Sequence, residues 1–482
     1  MIKLKVIHRA AILIGVLWVL GGLFSCSKDA FYNGSDKVLK FSMDTVMIDT
    51  VFTTLGSATA SVKIYNTSNE SVKISSIQFA NAAQTAFKIN VDGISGSIIN
   101  DVEIGAKDSM YVFAKVTIDP KGASTSILVE EAIEINYNNV TQYVVFSALG
   151  IDAYFHYGEF ITENTVWKTD KPHVVLERTI KDTFYPGIII PSGVTLTMPA
   201  GSKVFFNSQA GILCGGTLKI EGTRSDSVVL RGIRLTKSYI HNAGAWLGLM
   251  YLRNSKNNTI KYAYVDESIL GIYMGFQTDL NFEAMTDNTR AEIFIANSFI
   301  KNAYYFTLRS MNNKIKAENS VFFTSTDNLC QLTLGGDYEF NNCTFYNSQS
   351  PKKKELLALT NFVYYEPTGT TYKANLTKAS FVNCVWGTTF DESIYVGMKD
   401  GADSNYSFTN CLYYSKTNFK TDRFNSCKNE AVVKFKNTAP DREDFHLTAG
   451  SPCIDAGISN GIPTDIEDKP RNGIYDIGAY EF

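Results

Sequence analysis

The chain has 482 residues, with 45 basic and 48 acidic side chains, five His and a formal net charge of -3. Charged residues are 19% and aromatic residues 13%, with 31 Phe, 26 Tyr and 37 Asn. That composition supplies ample apolar surface without a helix-favouring bias, which excludes a disordered chain, a collagen and a coiled coil. The charge balance excludes the basic stripe by which nucleic-acid binders neutralise phosphates, so no nucleic-acid partner is expected.

Lys3, Lys5 and Arg9 open the chain, followed by an apolar run of 15 residues from Ala10 to Phe24. The run falls short of the roughly 20 residues a membrane-spanning helix needs, and has the length of a secretory hydrophobic region. It ends at Leu23-Phe24-Ser25-Cys26, with Ser27-Lys28-Asp29 following. This tetrad resembles the lipobox of bacterial lipoproteins. The resemblance implies that residues 1–25 are a signal peptide, that Cys26 becomes the acylated N-terminus, and that residues 26–36 are a tether. Such acyl chains together anchor a protein stably, where a single chain binds only marginally. The expected place is the cell envelope, lipid-anchored at the outer membrane on its surface or periplasmic face. An ordinary signal peptide or a signal anchor is the alternative. Loss of the segment leaves 42 basic and 48 acidic groups, net -6.

Seven further cysteines remain, Cys214, Cys330, Cys343, Cys384, Cys411, Cys427 and Cys453. Their odd number, wide spacing and lack of a C-x-x-C pair argue against a disulfide framework or a zinc site. Residues 37–153 read as short alternating strands, such as Ser61-Val62-Lys63-Ile64-Tyr65 and Met110-Tyr111-Val112-Phe113-Ala114-Lys115-Val116, separated by polar turns. That pattern predicts an antiparallel β-sandwich, immunoglobulin-like but without the disulfide of antibody domains. A spacer role is the plain reading of such a module.

From residue 154 the pattern changes to tiny strands between Gly turns, as in Gly211-Ile212-Leu213-Cys214-Gly215-Gly216-Thr217-Leu218-Lys219-Ile220. A phrase then recurs: Asn297-Ser298, Asn319-Ser320, Asn342-Cys343, Asn383-Cys384 and Asn410-Cys411, at intervals of 22, 23, 41 and 27 residues. A period in the twenties marks a solenoid. Asn tolerates the left-handed backbone of a tight turn, and stacked Asn amides are expected to hydrogen-bond from one repeat to the next. Cys343, Cys384 and Cys411 then read as an interior stack of small groups. These features resemble right-handed parallel β-helix proteins of the pectin-lyase-like fold, which implies a β-helix over 154–450. Trp246, in Gly244-Ala245-Trp246-Leu247-Gly248, is either a sugar platform or a core residue.

Residues 451–482 contain Ser451-Pro452-Cys453-Ile454-Asp455-Ala456-Gly457, Asp468-Lys469-Pro470-Arg471 and Asp476-Ile477-Gly478-Ala479-Tyr480-Glu481. They resemble the terminal segment of bacterial surface β-helix proteins and are expected to cap the solenoid, with Asp455, Asp468, Arg471 and Asp476 paired inside the cap. No cofactor or resident metal is read from the sequence; Ca²⁺ is the one ion that such acids could take, and it requires six or more converging oxygens. Over nearly the whole mature chain the sequence resembles an exported lipoprotein family of Gram-negative bacteria, described by repeats rather than by an activity.

Catalysis on polysaccharides needs two or three converging carboxylates, or a cation beside a base. Asp266-Glu267 and Asp391-Glu392 each read as an isolated, solvated surface pair, and His156, His173, His241 and His446 as scattered. Insertions at 275–291, 348–374 and 396–406 interrupt the period, and in solenoids such loops gather on one face. The middle one joins Lys352, Lys353 and Lys354 to Tyr364, Tyr365 and Tyr372, a set suited to an acidic sugar or, equally, to a solvated loop. The resulting expectation is a tethered, non-catalytic protein that binds a glycan or an envelope partner. A polysaccharide lyase or glycoside hydrolase and a structural envelope protein are the alternatives.

Overall fold

The computed structural model describes residues 30–482 apart from 84, 120–126, 237–238, 278–280, 418, 420–421 and 440–441. Cys26 and residues 1–25, expected to be a signal peptide, lie outside the described residues. The described chain is built from strands, with three short 3-10 turns at Phe282–Ala284, Asp287–Thr289 and Glu366–Thr368 as its helical elements. No described helix is long and apolar enough to cross a membrane. The chain divides into two compact units, residues 1–152 and 153–482.

The first unit holds two five-stranded sheets. One runs in the order Leu39–Phe41, Ala60–Asn66, Ser109–Val116, Phe87–Val91, Ile94–Gly96, antiparallel throughout. The other is Thr45–Phe52, Val140–Ile151, Ile127–Tyr137, Val72–Phe79, Ile98–Ile104. Its first pair is parallel, which departs from the fully antiparallel expectation. Alternation sorts the side chains: Val62, Ile64, Val112 and Ala114 are buried while Tyr111 and Phe113 are exposed. Phe87 of the first sheet stacks on Phe79 of the second with ring centroids 5.5 Å apart, so both sheets share one core.

The second unit holds three parallel sheets of eleven, nine and ten strands. The chain passes through them in a fixed rotation: Tyr154–Tyr157, Glu159–Phe160 and Thr165–Val166 enter the first, second and third sheets, and His173–Leu176 returns to the first. Inward side chains from all three sheets form one core, with aromatic rings stacked from circuit to circuit. Phe345 lies 3.8 Å from Trp386, and Phe381, Phe408 and Phe424 follow one another at 4.6 and 4.5 Å.

The recurring phrase occupies the same corner in five successive circuits. Asn297, Asn319, Asn342, Asn383 and Asn410 all have φ between 43° and 52°. The residues after them stand in register, because Phe299, Val321, Thr344, Val385 and Leu412 pair in succession on the first sheet. Ser298 Oγ donates to the Ala296 carbonyl and Ser320 Oγ to that of Glu318, both at 2.7 Å. Cys343 and Cys384 donate to carbonyls two residues back at 3.4 and 3.5 Å. Ser and Cys therefore do the same work, tying off the turn inside a dry column, and Cys427 continues the series at the last circuit.

The Asn side chains do something other than stack on each other. They hold the C-terminal segment, which runs along the flank of the circuits rather than closing their end. Asn410 donates to the Ala456 carbonyl at 2.8 Å, Asn319 to Thr464 at 2.9 Å, and Asn297 to Asp465 and Ile466 at 3.3 Å. Asn460 donates to Asn342 at 2.6 Å. This segment covers the outer face of the first sheet: Ile466, Ala479 and Tyr480 pack on Val321 and Phe323, and Cys453 and Ile477 on Val385 and Leu412.

Candidate functional site

The expected site residues do not form one constellation. Trp246 is completely buried, stacked on Phe206 at 4.1 Å, with its Nε1 donating to the Asp266 carbonyl at 2.7 Å. It is core, and a sugar platform there has no open face. Parts of the three insertions do gather, because 275–291, the 361–374 part of the middle one and 396–406 each run on from a strand of the second sheet, Ile272–Phe276, Leu357–Thr360 or Ile394–Gly397. Tyr365 and Tyr372 spend their rings on that union, packing against Phe282 at 5.4 and 4.6 Å. Lys399 lies over the Phe362 ring, and Lys373 donates to the Asp400 carbonyl at 2.8 Å. Tyr364 remains exposed on the hairpin, and Lys353 and Lys354 are exposed on the approach to the strand. The three lysines precede Leu357–Thr360 and the tyrosines follow it, so a strand of about 13 Å separates them. Lys352 belongs elsewhere: its Nζ donates to Asp327 at 2.9 Å, beside Tyr304 and Tyr305.

The acids of the C-terminal segment also part company. Asp476 accepts from the backbone N–H groups of Asp455 and Phe482 at 2.7 and 2.6 Å, and Asp468 from Tyr262 at 2.7 Å. Buried Arg471 pairs with Glu481 at 2.8 Å. Among the described residues, the group whose ligand atoms come within 4.8 Å of one another is a different one, His241, Asp266 and Glu267.

This cluster overturns the reading of Asp266-Glu267 as a solvated pair, since both residues are buried. Asp266 ends the strand Ala263–Asp266, and its register partner in the next circuit is Lys301. Lys301 Nζ lies 3.7 Å from Asp266 Oδ2 and pairs with Glu443. Asn302 donates to Asp266 Oδ1 at 2.8 Å, and His241 Nδ1 lies 2.9 Å from Oδ2. Glu267 follows with φ 67°, which turns its carboxylate toward the preceding circuit. There it accepts from Arg231 Nη2 at 2.5 Å, from the Gly232 N–H at 3.1 Å and from the His241 N–H at 2.6 Å. Burial pushes the Asp266 carboxyl upward, but the His241 hydrogen bond, Lys301 and Asn302 outweigh it and hold the group below its ordinary value. The Glu267 carboxyl is raised, by burial first and by the Asp266 charge second, against the opposing pull of Arg231.

An ionised Asp266 accepts only, so His241 donates to it from Nδ1, which leaves Nε2 as the ring nitrogen not engaged by Asp266. Every oxygen of the two carboxylates already accepts a hydrogen bond, and Arg231 and Lys301 supply the counter-charge. His241 Nδ1 is spent on its hydrogen bond and two cations already balance the two carboxylates, so the cluster does not fit a metal ion. His241, whose side chain is 27% exposed, is its opening to solvent. A Cβ at Gly244 would stand 3.8 Å from the Tyr304 ring, and Tyr304 and Tyr305 meet edge to face at 4.8 Å, 48% and 43% exposed. Thus Tyr304, Tyr305 and Lys352 lie together on one patch, with Gly244, three residues after His241, packed beside it.

Sequence spacing concealed this cluster because Arg231 and His241, then Asp266, then Lys301 come from successive circuits of unequal length, and Glu443 from a segment beyond them. One signal was available: counting four residues on from Asn297 gives Lys301, and four on from Tyr262, which fills the Asn slot with φ 44°, gives Asp266.

No family model matches the sequence, and no curated protein does. Among solved structures, a family 123 glycoside hydrolase from Clostridium perfringens is 9% identical at a TM-score of 0.17, over 24% of this chain and 26% of that enzyme. A PapD-like domain of human CEP192 is 8% identical at 0.18, over 27% of this chain and 96% of that domain. A protein of unknown function from Porphyromonas gingivalis W83 is 7% identical at 0.18, over 26% and 60%. Scores this low assign neither fold nor function.

Proposed function

We propose that this chain is a lipid-anchored envelope protein in which an immunoglobulin-like β-sandwich precedes a right-handed parallel β-helix, and that the β-helix binds a glycan or an envelope partner. Two sheets around one core support the sandwich, and three parallel sheets visited in rotation support the β-helix. The lipobox-like Leu23-Phe24-Ser25-Cys26 supports the anchor. The observation that carries the binding role is the patch of two exposed rings, Tyr304 and Tyr305, beside Lys352, whose ammonium is held by Asp327. Aromatic faces beside fixed polar groups suit a sugar ring.

The test is affinity electrophoresis of residues 27–482 in gels cast with acidic and neutral polysaccharides, with and without Ca²⁺. Retardation without loss of polymer supports the role; unchanged mobility in every gel, with no envelope protein retained, removes it. A second reading rests on His241, oriented by Asp266 through Nδ1, whose Nε2 could serve as a general base for polysaccharide cleavage. A cleared zone around the band, lost in His241→Gln, establishes that reading instead.

A further inference from the structure

At the start of the second unit two histidines expected to be scattered form a hydrogen-bonded pair. His156 and His173 lie on adjacent strands of the first sheet, with His156 Nε2 2.9 Å from His173 Nδ1. Their centroids are 5.2 Å apart and their planes 16° from parallel, so the rings meet edge to edge, nearly coplanar. The Trp167 indole lies flat across both, 4.0 Å from His173 and 4.7 Å from His156. At the outer ends, His173 Nε2 is 2.8 Å from the Lys168 carbonyl and His156 Nδ1 is 2.5 Å from Glu159 Oε2.

Protons can be counted along this row. A carbonyl only accepts, so His173 carries its N–H on Nε2. A neutral His173 then offers a lone pair at Nδ1, and His156 must donate from Nε2. The contact between His156 Nδ1 and the Glu159 carboxylate needs a proton as well. The row therefore holds one proton more than two neutral imidazoles and a carboxylate. Burial pulls His173 down to about 4, and its neighbour's charge acts in the same direction, so the extra proton does not sit there. The indole face favours a cation on His156.

We infer that Glu159, His156, His173 and Trp167 form a built site for a single proton, which fastens the first circuit of the second unit when filled and loosens it when emptied. Without the proton, a lone pair on His156 faces a carboxylate, and Glu159, at 44% side-chain exposure, is free to swing outward. The other groups facing the row divide: Asp170, bound to the Tyr154 hydroxyl at 3.1 Å, and Glu163 favour the proton, while Lys168 and Lys171 oppose it. The site is filled on the acid side and emptied as pH rises.

The experiment is nitrogen-15 histidine NMR on residues 27–482 across pH 5 to 9, with backbone amide exchange measured in parallel. The expected result is a His156 protonated at both ring nitrogens beside a His173 protonated at Nε2 alone. Proton release in Glu159→Gln should come about one pH unit lower, a roughly tenfold loss of proton affinity, and amide exchange over 154–168 should accelerate as the proton leaves. A second proton on His173, an unchanged titration in Glu159→Gln, or amide exchange indifferent to the proton overturns the inference. The wild-type spectrum reads the protonation of both rings directly, so the outcome stands even if the variant does not fold.

Discussion

Asn383 grips Ile458 at both of its backbone groups, donating to the carbonyl at 2.7 Å and accepting from the N–H at 2.9 Å. The side-chain amide thus imitates a strand edge, offering the donor and acceptor that a neighbouring peptide would. Its backbone, at φ 52°, is what aims the amide outward at the corner. One residue type supplies both the turn and the grip, which explains why Asn rather than Gly recurs there.

Two substitutions separate those roles. Asn383→Gly keeps the left-handed turn and loses the grip, at an expected cost of about 1–3 kcal/mol. Asn383→Ala adds strain of about 1–2 kcal/mol at the positive φ. Denaturant unfolding checks the order, and limited proteolysis should cut near residue 458 in both variants before it cuts the wild type.

The Ser and Cys column predicts an unusual tolerance. Cys384→Ser should cost less than about 1.5 kcal/mol, because a hydroxyl there can donate to the Val382 carbonyl as Ser298 does to Ala296. Cys384→Leu should cost more, since the column has no room for added methylenes. Chemical denaturation of the two variants tests the ranking.

The cluster around Asp266 predicts opposite pH effects from adjacent acids. Asp266 is held below its ordinary value in the folded chain, so its contribution is present above the unfolded value near 3.8 and is lost as pH falls through the lower folded value. Glu267 is raised, so its contribution grows as pH falls through the raised value toward 4.5. Stability measured from pH 3 to 7 should lose its low-pH limb in Asp266→Asn and its higher one in Glu267→Gln. Asp266→Ala, which leaves Lys301 its Glu443 partner but takes the acceptor from buried Asn302 and from His241, should cost about 1–3 kcal/mol.

The patch predicts a separation of binding from stability. Tyr304→Ala combined with Tyr305→Ala should abolish retardation in polysaccharide gels while shifting stability little, since both rings are substantially exposed. Trp246→Ala should do the reverse, destabilising by about 3–5 kcal/mol through a cavity beside Phe206.

The repeat was legible where one residue type kept returning. Asn at a left-handed corner, a small group after it and an apolar strand beyond recur often enough to set the register of Cys343, Cys384 and Cys411. What Asn would bond to was not legible, because an amide serves a neighbouring repeat or a passing peptide equally well, and the segment it holds lies up to 169 residues away. The polar clusters were hidden for a related reason. Asp266, Lys301 and Glu443 meet only after circuits of unequal length are stacked, and His156 and His173 only because the first two circuits place them on adjacent strands.

The flank segment also fixes an order of events in synthesis. Val321, Phe323, Val385 and Leu412 belong to circuits made long before the residues that cover them, which include Cys453, Ile466, Ile477 and Tyr480. A nascent chain can therefore stack its circuits while one apolar wall stays bare, and that wall closes only when the last thirty or so residues arrive. A chain without residues 451–482 would carry that wall uncovered, an exposed apolar patch of the kind that chaperones and proteases recognise.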